Sequence, residues 1–479
     1  MRVGTSVREG RTRGFLVGRR QESHRYADRM LAMSMLAVTC GAVLIGALLG
    51  RGQVLIPVGL VGLALATWFA YRAPSAAGLT VLSLLGGLTV FQMVPGFNSN
   101  ITMLGGGVRL EDVLMVGMLL AMLLRVLRPN GRHLLGRLLV PAMCLGIWLA
   151  TAVLRNAGGF GLSALGEFRY RYLVLVVPLC LMVSIGSRQQ AQRALRWFAL
   201  IAVALPILAM PALLVMKGYT IGPAHRVLPA QVSLGLLVGL MVLWRCRALM
   251  RWPRSILWLV TVFGALEILA DANRSVWLAG IVMGLVLLAL DRDTRRAFGF
   301  ALGVGAVGAM ASVAAGALGL DALSILSEQG GAAIAVQGTA LWRWNLWKAS
   351  LVPFAQSPIA GRGFGLYWNT YVPEMGVTVT VFPHDLYIMT LAILGAVGLG
   401  LLVWLGVAAW VQLRKGARAL AHSEPAWADV SSVGVATLVG LAAYGVAYSF
   451  DPYTLTLLGI CLAVAVHESA FVTVKDGEA

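Results

Sequence analysis

Apolar runs of roughly 20 residues recur along this chain, separated by short polar gaps, and each is long enough to cross the hydrocarbon core of a bilayer as one helix. They fall near 31–50, 54–71, 76–95, 111–127, 138–154, 172–186, 198–216, 230–244, 255–270, 275–290, 297–319, 386–411, 430–449 and 454–472. The fold class expected is all-α, a polytopic integral membrane helical bundle of about 14 spans (12–14). A soluble domain is excluded, because 59% of the 479 residues are hydrophobic and 12% charged, with a mean hydropathy of +0.82.

The basic residues set the orientation. If the Arg-rich segment 1–30 is a cytoplasmic arm, alternate gaps hold Arg72, the Arg125–Arg137 group, Arg188/Arg193/Arg196, Arg245/Arg247/Arg251/Arg254, Arg292/Arg295/Arg296 and Arg414/Lys415/Arg418. With the arm and Lys475, 27 of 38 basic residues then lie inside, as positive-inside orientation requires. The organisation expected is an arm at 1–30, membrane helices 1–11 over 31–319, a long extracytoplasmic loop at 320–383, helices 12–14 over 384–472 and a cytoplasmic tail at 473–479. The arm carries no convincing cleavage pattern of a signal peptide. The net charge of +18 is explained by these clusters, so no nucleic-acid partner is expected. Cys40, Cys144, Cys180, Cys246 and Cys461 are scattered without metal-ligand spacing, so neither disulfides nor a metal is expected.

The other 11 basic residues are Arg51, Arg109, Arg155, Arg169, Arg171, Lys217, Arg226, Arg274, Arg343, Lys348 and Arg362. They fall outside, against the rule. For any one of them, snorkelling at a helix end is explanation enough; a set of cations in short turns at one face is also what an anionic lipid head group requires.

The 320–383 loop carries Trp342, Trp344, Trp347, Phe364, Tyr367, Trp368 and Tyr371 beside Arg343, Lys348 and Arg362. Residues Leu341–Phe354 read as a short amphipathic helix in the interface. The aromatics serve either as an anchoring belt or as a surface on which the C–H faces of a glycan stack.

Three strings carry chemistry. His384-Asp385-Leu386 opens the twelfth span after Pro383, with Gly395 and Gly398 further along it. In a continuous helix His384 and Gly395 share a stripe, Gly398 lies roughly 40° away, and the glycines let a neighbouring helix pack close. His384 is either a hydrogen-bonder at a helix start or a base, since an imidazole titrates near neutrality and takes a proton from a sugar hydroxyl. Asp271-Ala272-Asn273-Arg274 is a tight turn that puts Arg274 at a helix N-terminus, a seat for phosphate, with Glu267 and Asp271 placed to orient it. Arg226 follows a Gly-rich segment, and Arg169 and Arg171 precede the sixth span. If that stretch is helical, only one of these two points into a shared cleft.

The strings Phe168-Arg169-Tyr170-Arg171-Tyr172-Leu173, Asn273-Arg274-Ser275-Val276-Trp277-Leu278, Gly361-Arg362-Gly363-Phe364-Gly365 and above all that of His384 resemble the O-antigen ligase and O-antigen polymerase superfamily of bacterial envelope glycosyltransferases. The resemblance covers roughly residues 160–411. The ligase pattern of His, then Asn, Ser or Gln, nine residues, Gly, two residues and Gly is matched except at Asp385. The resemblance implies inverting, metal-independent transfer of a glycan from a polyprenyl-pyrophosphate carrier to an acceptor hydroxyl, on the outer face of the cytoplasmic membrane. The acceptor is a lipid-linked glycan core for a ligase or another repeat unit for a polymerase. The residues suit that chemistry. His384 is the expected base, Arg274 and Arg226 hold the departing pyrophosphate, and Arg169 or Arg171, with Arg343 and Arg362, bind substrate. No cofactor is expected. A lipid flippase or other transporter is the rival class, but neither a repeated half nor an ionisable pair at the midplane is evident.

Overall fold

The computed structural model describes residues 55–91, 103–105, 108–128, 135–160, 168, 171–217, 228–270, 273–290, 339–365, 369–372, 377–380 and 384–468. The chain divides into two compact units, 1–65 and 66–479. Of the first, only the start of helix α1 (Leu55–Arg72) is described.

In chain order the further helices are α2 (Pro74–Phe91), α3 (Leu110–Val126), α4 (Leu139–Phe160), α5 (Val176–Ser184), α6 (Arg188–Lys217), α7 (Ala230–Arg245), α8 (Arg247–Met250), α9 (Arg254–Ala270), α10 (Arg274–Leu290), α11 (Thr339–Gln356), α12 (Leu386–Leu420), α13 (Pro425–Gly445) and α14 (Pro452–Val466). The expected apolar segments at 31–50 and 297–319 lie outside the described residues; each of the others coincides with a helix. Four helices among the described residues are long and apolar enough to cross a membrane, or up to five if a bent pair counts as one span. That makes the chain a helical membrane protein without fixing the number of spans at 14.

Several helices outrun their apolar segments. α6 starts at Arg188 and α12 continues to Leu420, so the basic clusters expected in loops are helical. Arg, Gln, Ala and Leu favour helix, no proline intervenes in these clusters, and Gly416 is accommodated by its packing on Ala465. Two short antiparallel hairpins also interrupt the all-α expectation. Met103–Gly105 pairs with Val108–Arg109, and Asn369–Val372 pairs with Val377–Thr380, Asn369 opposite Thr380 and Val372 opposite Val377. The second lies within the long loop, where alternating Thr and Val suit a strand.

The core forms around α14, whose residues from Tyr453 to Ala465 are buried. A helix apolar on every side belongs inside a bundle. Small residues let its neighbours approach: Gly235 of α7 and Gly86 of α2 lie against the Tyr453 ring, Gly434 of α13 against Cys461, and Gly416 of α12 against Ala465.

These contacts also fix the two ends of the bundle. At one end Arg188 pairs with Glu424 at 2.6 Å, Arg245 with Asp429 at 2.9 Å and Lys415 with Glu468 at 3.1 Å. The start of α12, the end of α13 and the start of α14 lie together at the other.

Candidate functional site

Asp385 starts α12. Its carboxylate accepts hydrogen bonds from the backbone N–H of Tyr387 and of Ile388, both at 2.8 Å, which satisfies two orphan donors of the first turn. Burial pushes its carboxyl above the usual range, and the two backbone donors oppose that shift. Asp is a preferred N-cap residue, so the chain's departure from the ligase pattern at this position serves here to start α12.

His384, one residue earlier, faces Tyr448 with ring centroids 6.1 Å apart at 63°. The guanidinium of Arg343, from α11, sits over the same Tyr448 ring at 5.6 Å. Tyr448 in turn stacks on Tyr444 at 4.9 Å and 12°. The Tyr387 hydroxyl donates to the carbonyl of Ala442 at 2.6 Å, which ties the first turn of α12 to the last turn of α13. One ring thus brings Arg343 and His384 together across elements far apart in sequence. α11 itself packs on α12, with Leu346, Ser350 and Pro353 buried and Trp344 and Val352 exposed. It extends the expected Leu341–Phe354 helix by two residues at each end.

Below this mouth α12 is broken. Gly395 has φ 71° and ψ −172°, a conformation essentially reserved for glycine. In an unbroken helix the N–H groups of Ala396 and Val397 donate to the carbonyls of Ala392 and Ile393. Here Ala396 donates to Pro358 at 2.8 Å and Val397 to Ile359 at 3.3 Å, while the carbonyls of Ala392 and Ile393 accept from Arg362 at 2.9 Å and Gly363 at 2.8 Å. The loop after α11 therefore replaces both missing helical bonds and leaves none of these groups orphaned. Gly395 is thus not, as expected, a packing glycine on a continuous stripe with His384.

The same loop is clamped from α4. The Asn156 side-chain amide donates to the carbonyls of Arg362 at 2.7 Å and Phe364 at 2.8 Å, and Arg155 donates to that of Ala360 at 3.0 Å. Trp148 Nε1 donates to the carbonyl of Leu394 at 2.9 Å, beside the break. Arg362 is held through its backbone on both sides while its side chain is exposed. Phe364 is fully buried, edge-on to Phe168 and Tyr172 at 5.6 Å each. The Tyr172 hydroxyl meets Thr390 Oγ1 at 3.0 Å.

Arg171 reaches α12 five residues after His384, where a guanidinium N–H contacts Met389 Sδ. Arg169 and Arg226 lie outside the described residues, as does Asp271. Arg274 is the first residue of α10 and is exposed. Its neighbour Asn273 is buried and donates to Ser233 Oγ of α7 at 3.5 Å. Two residues further along α7, Gly235 lies against Tyr453, and α10 packs along α13, with Met283 against Gly440. Arg274 therefore stands at the same end of the bundle as His384, on a helix that packs against α13. Among the described residues no group of three or more His, Cys, Asp or Glu side chains is gathered as a metal site requires.

Two residues beyond His384 and Tyr448 in the chain, an apolar groove of about 620 Å³ starts and runs along α12. It begins at Leu386, Tyr387, Ala442 and Phe450 and ends at Trp410 and Val411.

Sequence reasoning missed Tyr448 and Asn156. The i, i+4 pair Tyr444/Tyr448 at the end of an apolar run was one available signal, and the polar pair Arg155-Asn156 at the end of α4 the other.

Residues 259–403 match the protein family model described as O-Antigen ligase. The match encloses Arg274, Arg343, Arg362, His384 and the Gly395 break, and supports the resemblance to the O-antigen ligase and polymerase superfamily of membrane glycosyltransferases. No curated protein matches the chain.

Proposed function

We propose that this chain, with its O-antigen ligase domain at residues 259–403, transfers a glycan from a polyprenyl-pyrophosphate carrier to an acceptor hydroxyl at the outer face of the cytoplasmic membrane. Both termini are then cytoplasmic. The observation that carries this reading is the meeting of His384 and Arg343 on Tyr448, close in the chain to Leu386, Tyr387 and Phe450, where an apolar groove begins. An ionic head and a long apolar tail need that combination: cations at the mouth and a lipid-facing channel behind it.

In the reaction, His384 takes the proton of the acceptor hydroxyl as its oxygen attacks the anomeric carbon. The bond from that carbon to the pyrophosphate oxygen breaks, the configuration inverts, and the carrier leaves as polyprenyl pyrophosphate. Arg274, Arg171 and Arg343 oppose the charge that develops on the leaving oxygen, with Arg226 as a further donor to it. Arg362, whose backbone is pinned to α12, presents its guanidinium to the glycan or to phosphate. Tyr448 gives His384 and Arg343 a common ring to rest on. The acceptor in this reading is the lipid-linked core of a ligase, the family whose model residues 259–403 match; a polymerase takes a second repeat unit at the same place.

The purified protein, given a polyprenyl-pyrophosphate oligosaccharide and a lipid-linked acceptor glycan, is expected to form the joined product and free polyprenyl pyrophosphate. Absence of product with that donor, together with transfer from a nucleotide sugar, contradicts the proposal.

A further inference from the structure

The end of the bundle opposite His384 holds a second cavity, of about 640 Å³, lined by Arg137, Trp410, Val411, Arg414, Lys415, Arg418 and Ala419. Proposed glycan transfer uses none of these residues. Positive-inside orientation accounts for basic residues at this end in general, but not for their convergence on one cavity from two elements far apart in sequence. Arg137 comes from the short turn Gly136–Leu138 before α4; Arg414, Lys415 and Arg418 come from the last turns of α12. Gly136, at φ 51°, lies beside Gln412 and so holds that turn against α12. Among the described residues, Arg137, Arg414 and Arg418 have no carboxylate partner, whereas Lys415 pairs with Glu468.

The cavity is also joined to the groove. Trp410 and Val411 line both, and the same turn gives Arg137 to the basic cavity and Leu138 to the apolar one. The Arg414 guanidinium lies over the Trp410 ring at 5.8 Å, a cation on an amphipathic ring of the kind found where hydrocarbon meets head group. A cluster of arginines directly beyond an apolar channel complements an anionic lipid in charge and shape: phosphate in the cluster, acyl chain in the channel.

We propose that this is a binding site for an anionic glycerophospholipid of the adjoining leaflet. Its phosphate is held by Arg137, Arg414 and Arg418, and an acyl chain occupies the end of the groove between Val403 and Val411. The bound lipid closes the groove at the end remote from His384.

Native mass spectrometry of the purified protein, offered equal amounts of phosphatidylglycerol and phosphatidylcholine, tests this. Preferential retention of phosphatidylglycerol is expected. The preference should fall roughly fivefold for each arginine lost in Arg137→Gln and Arg418→Gln, and survive largely in the charge-conserving Arg137→Lys and Arg418→Lys. Equal retention of the two lipids by the wild type overturns the proposal, whether or not the variants fold. Complete displacement of the lipid by free glycerol phosphate at matched concentration also overturns it, since the groove would then contribute nothing.

Discussion

Gly361 and Gly395 interlock so closely that a side chain is excluded at both. A Cβ on Gly395 would lie 2.2 Å from the carbonyl oxygen of Ile359 and 2.5 Å from the amide nitrogen of Gly361, and one on Gly361 would lie 2.4 Å from the carbonyl of Ile393. Both have positive φ, 71° and 64°. This contact couples the loop that carries Arg362 to the helix that begins beside His384.

Gly395→Ala is therefore expected to be severe. The backbone conformation alone costs about 1–3 kcal/mol for a residue with a Cβ, and the overlap with Ile359 adds to it. Gly400→Ala, where nothing lies within 4 Å, should be neutral or slightly stabilising, as Ala favours helix. Thermal unfolding in detergent separates the two; equal midpoints contradict the described break.

The helices themselves were legible in the sequence. Arg274 and Asp385 stand at helix starts because caps, turns and apolar periodicity are local signals, readable within a few residues. The break at Gly395 was not legible, since its missing bonds are supplied by residues 358–363 and no local pattern announces a distant donor. Read by periodicity alone, Gly395 looks like a packing glycine on a continuous helix. Tyr448 was overlooked for a related reason. An aromatic at the end of an apolar run resembles an interfacial anchor until Arg343 and His384 are seen to share its ring. The basic clusters at 188–196 and 414–418 look like loops in the sequence because charge ends an apolar run, although a helix needs no apolar residues to continue past the membrane.

Asp451 links pH to stability. It caps α14 by accepting from the Thr454 backbone N–H at 2.7 Å, and it is fully buried, which pushes its carboxyl up to about 7. The folded state thus holds a proton that the unfolded chain releases near pH 4. Stability is greatest below about pH 4, falls by at most about 1.4 kcal/mol per pH unit as pH rises towards about 7, and levels off above it. Asp451→Asn keeps a capping oxygen and should flatten this profile. An unchanged slope in the variant, read from unfolding midpoints across that range, assigns the pH dependence to other groups.

Arg274→Ala should lose most transfer activity, with Arg274→Lys only partly restoring it, because a point charge replaces a planar fork of donors. Wild-type rates in the alanine variant remove Arg274 from the phosphate seat. A chelator should leave the wild-type protein active; complete loss with EDTA points to a metal-dependent reaction.

The sidedness proposal places Gln356 and Ser423 across the membrane from each other. Both are exposed. In a cysteine-free background, single cysteines at these positions should react oppositely with an impermeant thiol reagent in intact cells, Gln356→Cys labelled and Ser423→Cys protected. Equal labelling contradicts the proposed sidedness.

The central claim is that His384 is the base and the arginines hold the carrier. In a purified assay that measures glycan transfer and carrier-lipid binding on the same sample, His384→Ala should bind the polyprenyl-pyrophosphate donor as the wild type does, yet transfer about 100- to 10,000-fold more slowly, the usual effect of removing a general base. A folded His384→Ala protein that transfers within about tenfold of the wild-type rate contradicts the account, because losing a contact at a helix start costs only about 1 kcal/mol of stability and little chemistry.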